Sequence, residues 1–367
     1  MKITYRVENS DYNIFIKKKI DSTLTNQINY LKSDKNVLFV YDNNIDLNLL
    51  NKTINFLKET GCKVTALKFQ SSKKNKNEKS LFSLIDVMLE NKFTKKSLVI
   101  SFGGGVLGDV CALAASLYLR GLIYFHIPST MTAIIDSCIG GKTAINYKNI
   151  INSVGNYYHA QSVFIFNEVI NLLPEREFLS GIPEIIKCGL IKKNNILKLL
   201  ENKKKILERD EKIIAQLCCE TLLTKIFFFK SDVYEKNRRL LLNFGHTFAH
   251  AIEMTMQSIL NKEIFRHGEA VGIGILCELY YASGKKNNLF RYVKTLLENY
   301  NLPTKISLPS FSNKKTVILD SVYKNIFLDK KRVSKTPRFI SLRKIHRPKI
   351  REMENLNLLA ETISQFI

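Results

Sequence analysis

Three of the six histidines fall between Arg239 and Glu269, in RLLLNFGHTFAHAIEMTMQSILNKEIFRHGE. His246 and His250 are four apart in a run whose apolar residues (Phe244, Phe248, Ala251, Ile252) recur at helical spacing, so both rings leave one helix face. His267 follows, just before a second helical run, HGEAVGIGILCELYYA. Imidazoles from adjacent helices hold a divalent cation when a carboxylate joins them. The same pattern also suits a pair of half-buried helix histidines with no ligand, so the rest of the chain has to decide.

Three further stretches bear on that choice. In HIPSTMTAIIDSCIGGKTAIN, Asp136, Gly140, Gly141, Lys142 and Asn146 crowd polar groups among apolar ones. Each buried polar group needs a partner, which favours a site over an ordinary loop. In SGIPEIIKCG, Pro183 suits a first helical position, and Glu184 and Lys187 share a face. Glu184 is then either a first-turn acid favoured by the helix dipole, paired at i, i+3, or a metal carboxylate beside a substrate lysine. In SLVISFGGGVLGD, Gly103 to Gly105 allow a tight strand-to-helix turn whose bare amides can meet a phosphate. The spacing is not GxGxxG, so the common dinucleotide fingerprint is not met. Further on come Lys225, Glu235 and Arg239, and near the end LDKKRV, with Lys330 and Lys331.

The first half alternates strand and helix. Short β-branched or aromatic runs lie at 37–41, 63–69, 97–101, 123–127 and 162–166, with helical patterns at 46–60, 79–91 and 106–119. That order predicts a parallel sheet covered on both faces, with ligands beyond the carboxyl ends of its strands. From about Pro174 the patterns are helical, closing with an amphipathic helix near 354–366. The expected division is 1–173 and 174–367, in keeping with a length of 367 residues.

The formal net charge is +23, yet the basic clusters at Lys17–Lys19, Lys73–Lys76 and Lys203–Lys205 are short and dispersed. With no aromatic-interleaved basic groove, a nucleic-acid partner is not expected. A phosphate-bearing substrate uses part of the charge more simply. The seven cysteines show no CxxC and no paired spacing, which fits buried thiols in a reducing compartment. The N-terminal residues lack an apolar signal core and no apolar run reaches 18 residues, so the expectation is a cytoplasmic protein with no membrane partner.

GGGVLGD, DSCIGGKTAIN, SGIPEIIKCG, LLLNFGHTFAHAIE and HGEAV, in this order and spacing, resemble the 3-dehydroquinate synthases, members of the sugar-phosphate cyclases. The resemblance runs from the first strands to LDKK. It implies an α/β, Rossmann-like N-terminal domain with a parallel sheet that binds NAD. It implies an all-α C-terminal domain that binds a divalent metal, zinc or alternatively cobalt, and a homodimer. The implied reaction converts 3-deoxy-D-arabino-heptulosonate 7-phosphate to 3-dehydroquinate and phosphate, in the shikimate pathway of aromatic amino acid synthesis. It proceeds by transient oxidation, phosphate elimination, re-reduction and intramolecular aldol closure. The alternatives are a related sugar-phosphate cyclase or a homologue with weakened NAD binding.

Carried over by position, the resemblance makes Glu184, His246 and His267 the metal ligands, and turns His250 toward the substrate. Asp136, Lys142, Asn152, Lys187, Lys225, Arg239 and Asn243 fall on substrate or cofactor positions, and Glu235 on an active-site acid. Arg120 matches an arginine that reaches the phosphate across the dimer, and Lys330 and Lys331 join the same anionic pocket. For NAD, Gly104, Gly105, Val106, Leu107, Gly108 and Asp109 hold the pyrophosphate, with Ser129, Thr130, Lys142 and Asn146 nearby. Asp42 and Asn44 fall at the adenosine end, and Lys79 and the segment Val169, Ile170, Asn171, Leu172 complete the nucleotide set. Two positions depart from the pattern. Ile151 stands where a cofactor-associated lysine is usual, and Lys76 where a glutamate is usual. Both put NAD affinity in question more than the metal site, and Lys148 or Lys76 is a candidate to supply the missing charge instead.

Overall fold

The structure is a computed structural model that describes residues 1–148, 150–261, 263–307, 315–328 and 336–367. It divides into two compact units, one of Met1–Pro174 with Arg209–Tyr234, the other of Glu175–Glu208 with Glu235–Ile367. The single boundary expected at 173/174 is therefore crossed again, because one long helix from the helical half belongs to the first unit.

The first unit runs β1 (Lys2–Val7), β2 (Ser10–Lys17), α1 (Thr23–Tyr30), β3 (Asn36–Asp42), α2 (Leu47–Glu59), β4 (Lys63–Phe69) and α3 (Glu78–Glu90). It continues β5 (Leu98–Gly103), α4 (Gly105–Leu117), β6 (Ile123–Pro128), β7 (Lys142–Tyr147), β8 (Ile150–Tyr157), β9 (Ser162–Phe166) and α5 (Asn167–Asn171). The sheet order is β1-β2-β9-β6-β5-β3-β4, parallel except for the β1–β2 hairpin at one edge. Every residue of β5 and β9 is buried, as strands covered on both faces must be. Phe39, Phe102, Phe125, Phe164 and Phe166 fill one layer of the core at 0% exposure. Each such side chain contributes roughly 1.5–3 kcal/mol by leaving water.

Strand order decides where this unit can bind. β3 pairs with β4 on one side and with β5 on the other, so the winding reverses beside β5. In open α/β sheets that reversal leaves a crevice at the carboxyl ends of the strands. Gly103 ends β5 there and α4 begins two residues on. The five sheet strands expected from the sequence are present within about two residues at their ends. The β1–β2 and β7–β8 hairpins were not expected. β8 is exposed along almost its whole length, so it carries no burial alternation to read.

The second unit contains α6 (Glu175–Leu179), α7 (Ile182–Ile191), α8 (Ile196–Leu200) and α9 (Lys203–Leu207). The chain then contributes α10 (Glu211–Phe229) to the first unit. Back in the second unit follow α11 (His246–Leu260), α12 (His267–Ser283), α13 (Asn288–Asn299), α14 (Lys315–Phe327), β10 (Arg338–Ser341), β11 (Lys349–Glu352) and α15 (Leu356–Phe366). The unit is helical as expected except for the β10–β11 ribbon, whose strands of four residues are too short to show a period. α12 is its centre: all residues from Gly268 to Ala282 are buried.

Candidate functional site

The helical unit brings the ends of three helices together. Pro183 lies in the first turn of α7, so Glu184 leaves that helix near its start. α11 begins at His246 after Gly245, whose φ of 84° glycine adopts without strain. α12 begins at His267. Glycines let these starts approach. A Cβ at Gly268 would land on the Ser180 carbonyl just before α7, and one at Gly274 on the Gly245 carbonyl just before α11. Arg176 grips Glu269 through two hydrogen bonds of 2.8 and 2.7 Å, and Arg266 pairs with Glu177 at 2.5 Å, which ties α12 to α6.

Glu184, His246 and His267 each offer a ligand atom, all within 4.8 Å of one another. His246 Nε2 is 3.4 Å and His267 Nε2 3.8 Å from Glu184 Oε1. Donors about 2.0–2.2 Å from one tetrahedral cation stand roughly 3.3–3.6 Å apart, so the set has the right span. Glu184 is 1% exposed, and its Oε1 has no hydrogen-bond partner in the protein. A buried carboxylate oxygen facing two imidazole nitrogens is costly without a cation. Its other oxygen is ion-paired with Lys187, itself 1% exposed. The residues fit a divalent metal.

The ring orientations agree. His246 Nδ1 lies 3.3 Å from the Phe244 carbonyl and His267 Nδ1 3.3 Å from Glu253 Oε2. Both Nδ1 atoms therefore donate, and both Nε2 lone pairs are left for a cation. Burial pushes the His246 pKa well below its usual value, with the Lys187 charge and the other two imidazoles acting in the same direction. The ring is neutral at pH 7, as ligation requires. The cluster thus takes one histidine from each of two helices, and not the i, i+4 pair of one helix. The His250 ring stands 5.4 Å from that of His246, outside the ligand set.

His246 and His250 line a recess with Leu240, Asn243, Thr247, Arg338 and Phe339. Asn243 donates to Glu235 Oε1 at 2.8 Å, and Arg239 is 4% exposed in the short 3-10 turn Arg238–Asn243. Thr247 donates to the Arg338 carbonyl at 2.9 Å, and the buried Glu278 accepts the Ile340 amide at 2.9 Å, so β10 is pinned to the start of α11. Burial raises the Glu278 pKa to about 8 against the pull of the Ile340, Gly245 and Thr247 amides.

In the α/β unit the glycine turn is a cradle of bare backbone. α4 has no side-chain cap and no acid in its first turn. A Cβ at Gly105 would stand 2.8 Å from Ser137 Oγ, and one at Gly104 3.1 Å from Thr130 Cγ2. Asp42 lies against Gly103, and the Ser129 amide donates to the Gly103 carbonyl at 2.9 Å. Those uncapped amides at a helix start fit a pyrophosphate. Beneath Gly108 packs the His126 ring, 3% exposed, linked through Ser101 to Tyr124 by two 2.7 Å contacts. Burial lowers its pKa to about 4.

Around the turn two acids, Asp136 and Asp109, each pair with a lysine from elsewhere in the chain. Lys225 of α10 donates to the Asp136 carbonyl at 2.8 Å and pairs with its carboxylate. Lys76 bonds Asp109 Oδ2 and Asn152 Oδ1, both at 2.5 Å. Burial raises the Asp109 pKa, Lys76 opposes that rise, and Lys142 opposes it more weakly. Asn146 donates its amide to the Lys76 carbonyl at 2.8 Å and accepts the Asn152 amide at 3.0 Å.

Asn44 and Lys79 are exposed. Val169 and Ile170 are buried, and the carbonyls of Ile170, Asn171 and Leu173 accept from Arg209 at 2.5–3.0 Å, which gives that segment a task within the unit. Arg120 is exposed at the far end of α4, about 20 Å from Gly105 by helix rise. Lys330 and Lys331 lie outside the described residues. Sequence reasoning missed Glu253, Glu278 and His126, and read Lys76 as a departure that, like Lys148, is a candidate to supply the charge missing at Ile151. The i, i+7 spacing of Glu253 from His246 put it on the same side of α11, and was the one available signal.

Residues 66–180 match the family described as 3-dehydroquinate synthase N-terminal, and 181–332 the one described as 3-dehydroquinate synthase C-terminal. The 3-dehydroquinate synthase of Clostridium tetani is 30% identical over 97% of this chain and 92% of its own length. That of Clostridium botulinum is 32% identical over 92% and 94%. Among solved structures, 2-deoxy-scyllo-inosose synthase complexed with carbaglucose-6-phosphate, NAD+ and Co2+ superposes with a TM-score of 0.86 at 21% identity, covering 100% of both chains. The 2-epi-5-epi-valiolone synthase of Streptomyces hygroscopicus, with NAD+ and Zn2+ bound, gives 0.82 at 20% identity, covering 99% of this chain and 98% of its own.

Proposed function

The chain belongs to the 3-dehydroquinate synthase family, and on that premise we propose that it is a carbon–oxygen lyase dependent on NAD and a divalent metal, zinc or cobalt. The family reaction converts 3-deoxy-D-arabino-heptulosonate 7-phosphate to 3-dehydroquinate and phosphate, in the shikimate pathway. The observation that carries the cofactor reading is Glu184: a buried carboxylate whose unbonded Oε1 faces two imidazole nitrogens.

When bound, NAD supplies a reversible hydride acceptor and the metal a Lewis acid. Glu184, His246 and His267 hold the cation. Lys187, packed against Glu184, and Arg239, buried in the 3-10 turn before α11, bind substrate anions by charge-assisted hydrogen bonds. His250 and the Asn243–Glu235 pair position protons on the substrate hydroxyls. Asp136, Lys142, Asn146 and Asn152 line the cofactor side, with Asp136 steadied by Lys225. In this reading the enzyme is a homodimer. The place of Arg120, remote from its own glycine turn and exposed, supports service to a partner's phosphate site.

Phosphate release from the heptulosonate phosphate tests the reading. Release should be lost on removing metal with a chelator, return with zinc, and require catalytic amounts of NAD. Release that persists without both, or stoichiometric accumulation of NADH, refutes it. Among the described residues no helix is long and apolar enough to cross a membrane.

A further inference from the structure

Lysine side chains ordinarily lay their stems on apolar surface and leave the ammonium in water. Lys73 and Lys74 are exposed, but Lys76 beside them is buried. Its side chain is 11% exposed, and its ammonium is turned inward onto two oxygens, Asp109 Oδ2 and Asn152 Oδ1, each at 2.5 Å. Its carbonyl accepts the Asn146 amide, and the Lys73 carbonyl accepts the Asn146 side chain at 3.1 Å. One residue thus joins the segment before α3 to α4 and to the β7–β8 hairpin.

Asp109 stands one helical turn after Gly105, on the helix whose uncapped start is the candidate pyrophosphate cradle. An uncompensated carboxylate there would repel a dianion arriving at the same turn. At a separation of about 6 Å and an effective dielectric of about 20, that repulsion is worth roughly a hundredfold in binding for each negative charge of the ligand. The hairpin residue next to Asn152, Ile151, is 56% exposed and carries no charge. Lys142 acts on Asp109 as well, but after Lys76 in strength.

We infer that Lys76 is a cofactor-affinity residue: its ammonium neutralises Asp109 and so lets the glycine turn accept the dinucleotide pyrophosphate. The inference rests on the NAD site proposed above. It assigns to position 76 the positive charge that the resemblance places at 151. Arginine would serve less well, since its planar fork is larger than the gap spanned by one ammonium, but it preserves the charge. Glutamine keeps a donor for both oxygens and removes the charge, so it separates electrostatics from simple bridging.

The test is calorimetric titration of the zinc-loaded full chain with NAD and, separately, with ADP. Lys76→Gln should weaken both ligands at least tenfold, and Lys76→Arg should stay within about threefold of the parent. Asp109→Asn added to Lys76→Gln should recover most of the loss, because the uncompensated charge is gone. Zinc content should be the same in all variants. Lys76→Gln binding NAD within twofold of the parent overturns the inference. So does a double variant as weak as Lys76→Gln, since Lys76 would then act by contact and not through Asp109. A parent chain that binds no NAD at all overturns the cofactor reading itself, a separate outcome visible before any variant is made.

Discussion

Replacing Glu253 by glutamine should loosen the metal without unfolding the protein. Glu253 Oε2 sits 3.3 Å from His267 Nδ1, and the His267 Nε2 faces the metal position on the other side of the ring. The carboxylate therefore fixes the tautomer and makes the imidazole a stronger donor. Hydrogen bonds to a charged group contribute about 1.5–3 kcal/mol when well made. A separation of 3.3 Å lies beyond the usual N–H···O range, and the His267 side chain is 31% exposed, so the lower end applies. A loss of about 1.5 kcal/mol corresponds to roughly tenfold in metal affinity, at the lower edge of what such outer carboxylates contribute to metal sites. The assay is competition for zinc against a chelator of known affinity, read together with the melting temperature of the metal-free chain. Glutamine is nearly isosteric and still accepts a hydrogen bond, so the metal-free melting temperature should hold. Zinc affinity within twofold of the parent would refute the reasoning, and a fall in metal-free stability would mean that Glu253 supports the helix and not the ring.

Other outcomes follow from the same geometry. His267→Ala should remove bound zinc and phosphate release together, while the metal-free chain keeps its far-ultraviolet circular dichroism; zinc retained at parent stoichiometry would remove His267 from the ligand set. Arg239→Gln should raise KM for the sugar phosphate tenfold or more, on the scale of one charge-assisted hydrogen bond, with zinc content unchanged; zinc lost as well would make Arg239 a support of the metal. His126 titrates near 4 in the fold against about 6.5 in the unfolded chain. The unfolded chain therefore takes up a proton first as pH falls, so stability present above pH 6.5 is lost progressively toward pH 4, by about 3 kcal/mol in full. His126→Gln should flatten that limb of the melting-temperature profile, and an unchanged slope would show that other groups set it.

What the sequence made legible, and what it did not, divides by distance along the chain. The parallel sheet, the glycine turn and the three helix starts were readable because each is encoded within a few residues. β5 is an apolar run broken only by Ser101 that leads into three glycines, and Glu184, His246 and His267 each stand at or near the first turn of a helix with a Gly or Pro close by. The β7–β8 hairpin was not readable, since a strand exposed along its length shows no alternation and Asn152 adopts a positive φ of 49° within it. The return of α10 to the first unit was hidden for a different reason. Its apolar residues go almost all round, so nothing in its period says which neighbour it packs against, and the Lys225–Asp136 pair that marks its place joins residues 89 apart.

The same distinction separates ligands from the groups that make ligands work. A metal-binding histidine is chosen by its residue type, and its type is visible in the sequence. The acceptor behind it, and the counter-ion behind an acid, are chosen by position in the folded chain. Lys76 lies 33 residues from Asp109 and 76 from Asn152, and in the sequence it is one more lysine in a chain of formal charge +23. In the folded chain its burial sets it apart from its neighbours. An ammonium is strongly hydrated, so desolvating one is costly unless oxygens replace the water. Within the Lys73–Lys76 cluster, the lysine that is desolvated is also the one that meets the acid of the glycine turn. Excess charge that looks compositional along the sequence therefore contains at least one cation placed by the fold, and substitutions at its exposed neighbours Lys73 and Lys74 should leave NAD affinity within about twofold, since solvent and salt screen them. A tenfold loss at either would mean that the whole cluster, and not the buried ammonium, sets the potential at the turn.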